Sequence, residues 1–178
     1  TVRGEVVDRG TGAHFGVVLP NGEIVRVHDG IPGELVRVRR DPDDPAWGRI
    51  EAWDSLSSAR REPRCAFAAE CGGCHWLSID ESRQQQFRRQ RLLTQCAAHG
   101  VEINAATTIT EIGSPAVTAY RHRARLQIDG ALQPPRVGFH GDRNWAIVDA
   151  AVCAMFAPPL ARVYETLVRQ ELDLAPDR

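Results

Sequence analysis

Three thiols lie within ten residues of one another, in Cys65-Ala-Phe-Ala-Ala-Glu-Cys71-Gly-Gly-Cys74, behind an arginine-bearing approach. A Cys-x-x-Cys turn lets two thiolates bind one centre, and a thiolate six residues upstream reaches the same centre from a short loop. The paired glycines Gly72 and Gly73 offer the positive φ and close backbone approach that such a turn often needs. Zinc, an iron–sulfur centre and a plain cluster of core cysteines all accommodate this spacing. A redox-active Cys71–Cys74 pair would want a strand before the motif and a helix starting at it, whereas a loop precedes it here. A metal or cluster site is the expectation, and it calls for a fourth ligand. Cys153 is the candidate, because Cys96 sits in a helical pattern with Leu92, Leu93 and Ala97 and is expected to be buried there.

The compartment bears on the same question. The chain opens on Thr-Val-Arg-Gly, with no charged stretch followed by an apolar run, so a reducing cytoplasm is expected. That setting favours thiolate ligation over disulfides. The 178 residues are 43% hydrophobic and 25% charged, with no apolar run near the roughly 20 residues that cross a bilayer. No membrane partner is therefore expected. A formal net charge of −1 gives no global nucleic-acid signature, so any basic surface must be local. All 22 basic residues are arginine, a bias that a GC-rich genome alone can produce.

The elements that must position the thiols divide the chain into three. Over residues 1–57, Val6-Val7, Phe15 to Leu19, Ile24 to Val27, Leu35 to Val38 and Ile50 to Trp53 are short apolar runs, with Pro20-Asn21-Gly22 and Gly30-Ile-Pro-Gly33 as turns. Strands at about 8 to 12 residue spacing predict a small β-barrel of the oligonucleotide-binding kind, able to bind RNA or to serve as a passive spacer. Gly10-Thr-Gly12 is a barrel loop and no cofactor fingerprint, since no strand–loop–helix unit surrounds it. Residues 58–99 form the cysteine-rich loop and a helix from Asp80 to His99, capped by Asp80 or Ser82 and stopped by Gly100. Its apolar stripe is Leu92, Leu93, Cys96 and Ala97, with Phe87 nearly opposite. Arg83, Arg88, Arg89 and Arg91 put four cations on it with no acid between them, a candidate phosphate-contacting face whose bland counterpart is a solvated surface.

Residues 100–178 predict the start of a small α+β domain. Tyr120-Arg-His-Arg-Ala-Arg-Leu-Gln-Ile128 alternates, so a strand there would carry Arg121, Arg123 and Arg125 on one face, about 7 Å apart, a spacing that suits successive phosphates. Val137 to His140 and Trp145 to Val148 predict a hairpin around Gly141–Asn144, whose second strand delivers Cys153. A last helix starts near Pro158-Pro159, with Leu160, Val163, Tyr164, Leu167, Val168 and Leu172 at helical spacing.

Taken in order, these pieces resemble the S-adenosylmethionine-dependent RNA 5-methyluridine methyltransferases that carry an N-terminal TRAM barrel and a [4Fe-4S] cluster. Gly30-Ile-Pro-Gly33-Glu34 is similar to the TRAM signature, and Ser58-Ala-Arg60-Arg-Glu-Pro63-Arg-Cys65 to the segment that leads to the cluster. Cys71-Gly-Gly-Cys74, Trp76, Gln84, Tyr120-Arg121-His-Arg123-Ala-Arg125, Val137-Gly138-Phe139 and Val148-Asp149 before Cys153 continue the likeness. The resemblance implies that Cys65, Cys71, Cys74 and Cys153 hold a structural [4Fe-4S] cluster. It implies structured rRNA or tRNA as partner, gripped by Arg88, Arg89, Arg121, Arg123 and Arg125, and a monomer. In the family a cysteine thiolate adds to uracil C6, C5 takes the methyl group from S-adenosylmethionine, and a base removes the C5 proton. Those steps belong to a Rossmann-like domain, and no residue of this span is assigned to them. The expectation is an RNA-binding portion of such an enzyme; a stand-alone RNA-binding iron–sulfur module and a zinc-binding adaptor are the alternatives.

Overall fold

The computed structural model describes residues 1–9, 13–104, 107–132, 135–142 and 146–169. The Gly10–Gly12 loop, Trp145 at the start of the predicted hairpin strand, and Leu172 lie outside the described residues. The chain packs as two compact units, Thr1–Glu62 with Ser78–Gly113 and Pro63–Leu77 with Ser114–Arg178. Residues 58–99, expected as one segment, are shared between them: the cysteine loop packs in the second unit, and the helix that follows packs in the first.

The first unit is a curled five-stranded antiparallel sheet, β1 (Val2–Val7), β2 (Phe15–Val18), β3 (Ile24–Val27), β4 (Leu35–Arg40) and β5 (Gly48–Ser55), in the order β3-β2-β1-β4-β5. Alternation decides which side faces in. In β4, Val36 and Val38 are buried while Arg37 and Arg39 are exposed, and Val6, Phe15, Val17, Val25 and Val27 join them inside. Register shifts at Leu35/Val36 and Arg37/Val38 bend the β4–β5 pair, as bulges do. The sheet curls far enough that the Arg26 N–H donates to the Ala46 carbonyl at 2.9 Å, just ahead of β5. The Pro20-Asn21-Gly22 turn forms as predicted, with Gly22 at φ 82°. On the outer face the arginines are paired: Arg3 and Arg37 with Asp54, and Arg39 with Glu51.

Glu34, which follows the Gly30–Gly33 turn, is fully buried and gathers the linker onto the barrel. Its carboxylate accepts from the Ile31 N–H (3.0 Å), Trp53 Nε1 (3.2 Å), the Ser57 N–H (3.1 Å) and the Arg60 guanidinium (2.7 and 2.8 Å). Burial alone would raise its pKa, but the Arg60 hydrogen bonds, the two backbone donors and the Arg60 charge outweigh it and hold the carboxyl below its ordinary value.

Helix α1 (Glu81–Ala98) matches the predicted span, with Asp80 accepting from the Arg83 N–H at 2.9 Å and Gly100 at φ 71° behind the end. Its buried side differs from the predicted one. Phe87 is the buried residue, tilted against Phe15 at 5.1 Å between ring centroids, while Leu92 is half exposed. The predicted stripe gave weight to four small or aliphatic residues at the C-terminal end; the single aromatic of the N-terminal half has more apolar surface to bury and finds Phe15.

The second unit holds a three-stranded antiparallel meander, β6 (Gln127–Asp129), β7 (Arg136–His140) and β8 (Ile147–Val148), and helix α2 (Pro158–Arg169). Tyr164 is the anchor of α2: its ring lies edge-on to Phe156 at 5.2 Å, and its hydroxyl donates to the Ala150 carbonyl. Val163, counted in the predicted stripe, is exposed, so the buried face of α2 is narrower than its apolar spacing suggests. No described helix is long and apolar enough to cross a membrane.

Candidate metal centre

The cysteine loop is a run of tight turns. The Cys65 carbonyl accepts from the Ala68 N–H at 3.2 Å, and the Phe67 carbonyl from the Glu70 and Cys71 N–H groups at 3.1 and 2.9 Å. The loop then meets the end of β7. The Gly72 N–H donates to the His140 carbonyl at 3.0 Å and the Asp142 N–H to the Glu70 carbonyl at 3.1 Å, so that Cys71 bridges Gly141. A Cβ on Gly72 would stand 3.1 Å from each of Asp142 N, Gly141 O and His140 O. Neither Gly72 nor Gly73 has a positive φ. Of the two reasons the sequence suggested for these glycines, close backbone approach operates at Gly72, and the positive φ is not used.

The opposite wall comes from the residues after β8. The Ala150 N–H donates to the Val148 carbonyl at 3.0 Å, and the Phe156 N–H to the Cys153 carbonyl at 3.1 Å. These turns bring Cys153 to a pocket that Cys65, Cys71 and Cys74 also line. Phe67, Leu77, Phe139 and Met155 make the rest of the pocket apolar, and the charged residue among its lining is Arg121. All five cysteines are free thiols; Cys96 stands apart on α1, half buried and not fully covered as expected. Burial pushes the Cys71 and Cys74 thiols up, and their neighbouring sulfurs push the same way. The Gly73 N–H at Cys71, and Arg121 at both, act in the opposite sense. Burial likewise raises the Tyr164 phenol to about 12, helped by Asp149, Cys153 and Cys71. Four soft sulfur donors from two chain segments, in a pocket otherwise apolar but for one guanidinium, fit a thiolate-liganded metal or cluster.

The arginines expected at RNA divide differently. The predicted strand over Tyr120–Ile128 does not form; only its end, from Gln127, pairs, with β7. Alternation makes a strand only where a neighbour supplies a ladder, and residues 119–121 have other partners. The Ala119 N–H donates to the Ala154 carbonyl, the Arg121 N–H to the Met155 carbonyl, and the Arg121 carbonyl accepts from the Ala157 N–H, at 2.9, 2.8 and 2.9 Å. Arg123 and Arg125 are exposed on the stretch that follows, whereas Arg121 turns into the cysteine pocket, a placement with no signal in the charge pattern. On α1, Arg88 and Arg89 are exposed; Arg88 donates to Gln84 at 2.8 Å and Arg89 pairs with Glu111 at 3.2 Å. Arg91 is held by Asp8 at 2.7 Å, and Arg83 lies over the Phe87 ring at 4.6 Å. The four cations of α1 are thus not one open face.

No protein-family model matches the chain. Over 157 residues, 82% of its length, it is 31% identical to the 23S rRNA (uracil(1939)-C(5))-methyltransferase of Burkholderia ambifaria. Over 165 residues, 85% of its length, it is 31% identical to the enzyme of the same name from Burkholderia pseudomallei. The chain spans about a third of these relatives, 33% and 35% of their lengths. Among solved structures it resembles the tRNA (uracil-54, C5)-methyltransferase of Pyrococcus abyssi in complex with S-adenosyl-L-homocysteine, with a TM-score of 0.57 over 93% of this chain and 35% of that one. At 23% identity the second likeness is one of fold, and it agrees with the mainly β architecture of a curled sheet with a small α+β unit. The resemblance to RNA uracil-C5 methyltransferases expected from the motifs is borne out by these relatives.

Proposed function

We propose that this chain is the RNA-recognising portion of an S-adenosylmethionine-dependent RNA (uracil-5-)-methyltransferase, with a structural [4Fe-4S] cluster on Cys65, Cys71, Cys74 and Cys153. The observation that carries the reading is the meeting of those four thiols on one pocket, in a chain 31% identical to a 23S rRNA uracil-C5 methyltransferase over 157 residues. Residues 1–57 would be the TRAM-like barrel, 58–99 the cysteine loop and its helix, and 100–178 the start of the central domain. Methyl transfer and the S-adenosylmethionine site are assigned to the remainder of the parent enzyme, since the span corresponds to about a third of its relatives.

Within this division of labour the chain's residues bind and orient. A cluster bound by four protein thiolates has no open iron site, so it supplies cross-linking in place of chemistry. It would tie the loop 63–77 to the segment carrying Cys153. Arg123 and Arg125, with Arg88 and Arg89, would meet the phosphates of a structured rRNA or tRNA. Such contacts fix position without reading sequence; the target uridine would be chosen by base contacts and RNA shape.

Iron, acid-labile sulfide and zinc content of the anaerobically purified chain tests the cluster. About four irons and four sulfides per chain are expected. About one zinc and no sulfide would replace this reading by a zinc-binding adaptor. Cys153→Ala should lose the cluster as completely as Cys74→Ala, and Cys96→Ala should keep it. For the RNA, Arg123→Glu combined with Arg125→Glu should weaken binding to a structured rRNA fragment and flatten its salt dependence. An unchanged affinity and slope would remove the phosphate role from these two residues.

A further inference from the structure

Arg121 was expected on a phosphate-binding strand and stands instead in the wall of the cysteine pocket. Its main chain is fixed on both sides, its N–H to Met155 at 2.8 Å and its carbonyl to the Ala157 N–H at 2.9 Å, so residues two and four places beyond Cys153 set where it stands. The approach to it is strained. Ala119, with φ 55°, is the non-glycine residue with positive φ among those described, and its N–H is held by Ala154 at 2.9 Å. A left-handed alanine is unfavourable and persists only where its surroundings impose it. Here three backbone hydrogen bonds impose it, and what they place is Arg121 in the lining of the thiol pocket, where its charge acts on Cys71 and Cys74.

We propose that Arg121 is the counter-charge of the cysteine centre: its guanidinium offsets part of the negative charge that four thiolates bring to the bound group. The inference rests on the cluster reading above. A [4Fe-4S] core with four thiolates is a dianion in its oxidised state and a trianion after gaining one electron. The lining of the pocket is otherwise apolar apart from the thiols, so little else there compensates that charge. A fixed cation stabilises the more negative state more, which raises the reduction potential, and it also lowers the free energy of holding the oxidised cluster. Arg121 is in this sense a positioning and charge-balancing residue, and Arg123, two residues on and exposed, is its internal control.

The test compares the whole chain as wild type, Arg121→Gln, Arg121→Lys and Arg123→Gln. Midpoint potential is read by dye-mediated titration, and cluster loss by the decay of visible charge-transfer absorbance under an iron chelator. Arg121→Gln should shift the potential negative and speed the decay several-fold, Arg121→Lys should recover much of both, and Arg123→Gln should keep the wild-type potential and decay while weakening RNA binding. An Arg121→Gln protein with wild-type potential and decay overturns the proposal, and so does one that loses RNA affinity alone. Should Arg121→Gln fail to hold a cluster long enough to titrate, Arg121→Lys decides: retention supports the counter-charge role, and loss as complete as in Arg121→Gln refutes it. A wild-type chain without iron and sulfide is a separate failure, that of the cluster reading itself, and is seen before any variant is compared.

Discussion

The two glycines of Cys71-Gly-Gly-Cys74 should behave very differently when each is replaced by alanine. At Gly72 the added Cβ meets three backbone atoms of the β7 end at 3.1 Å each, none of which can rotate away as a side-chain tip could. Forcing them back strains the hydrogen bonds from Gly72 to His140 and from Asp142 to Glu70, and overpacking of this kind costs about 1–3 kcal/mol. Alanine also narrows the unfolded ensemble, worth about 0.4–1 kcal/mol in the opposite direction where φ is ordinary. The net expectation for Gly72→Ala is a loss of about 1–2 kcal/mol. At Gly73 the near neighbour is Cys71 Sγ at 3.4 Å, an ordinary contact, so the unfolded-state term dominates and Gly73→Ala should be neutral or slightly stabilising. Thermal unfolding of both variants, without added metal, reads the difference. On the proposed cluster, iron loading would read the consequence, because a shift of loop against β7 moves Cys71 and Cys74 relative to Cys153. Equal damage at the two positions, or a silent Gly72→Ala, would refute the argument that close approach explains the first glycine.

Phe87→Ala should cost the first unit about 3–4 kcal/mol through loss of a buried aromatic and its Phe15 partner, whereas Leu92→Ala, half exposed, should stay within about 0.5 kcal/mol. Chemical denaturation separates them, and a reversed order would restore the C-terminal stripe as the packing face. Glu34→Gln should cost about 2–3 kcal/mol near neutral pH, since it leaves Arg60 short of its buried partner. The Glu34 pKa is lowered on folding, so its contribution is complete above its ordinary value of about 4.5 and is lost as pH falls through the folded value. The gap between wild type and Glu34→Gln should therefore close on acidification below about pH 4.5, and melting curves across that range that stay parallel would count against the ion pair.

The barrel was legible because its strands solve the burial problem locally. Val36 and Val38 alternate with Arg37 and Arg39, so two-residue periodicity carries the information, and Gly22 and Gly33 mark turns by their positive φ. The helix α1 was legible at its ends for a similar reason: Asp80 and Gly100 act within one turn of themselves. Its buried side was not, because whether Phe87 or Leu92 is covered depends on where Phe15 lies, more than 70 residues earlier in the chain. The same limit governs Arg121, whose sequence neighbours alternate like a strand while its main chain is taken by Met155 and Ala157.

The cysteines show the complementary case. Their spacing singles out three candidate donors, and setting Cys96 aside leaves Cys153 as the fourth; the four line one pocket although Cys153 lies far along the chain. Spacing is informative there because thiolate ligation of the kind proposed demands one residue type at every donor, so such chemistry leaves a mark even where the partner is distant. An arginine has no such constraint. It serves equally against phosphate, against Glu111 as Arg89 does, over an aromatic ring as Arg83 does, or in the thiol pocket as Arg121 does. Charge pattern in a sequence therefore counts the cations available for RNA as an upper bound. Of the seven arginines that the charge pattern puts on basic faces, Arg83, Arg89, Arg91 and Arg121 each meet a ring, a carboxylate or the thiol pocket in the fold, and the phosphate reading has its firmest ground in Arg123 and Arg125.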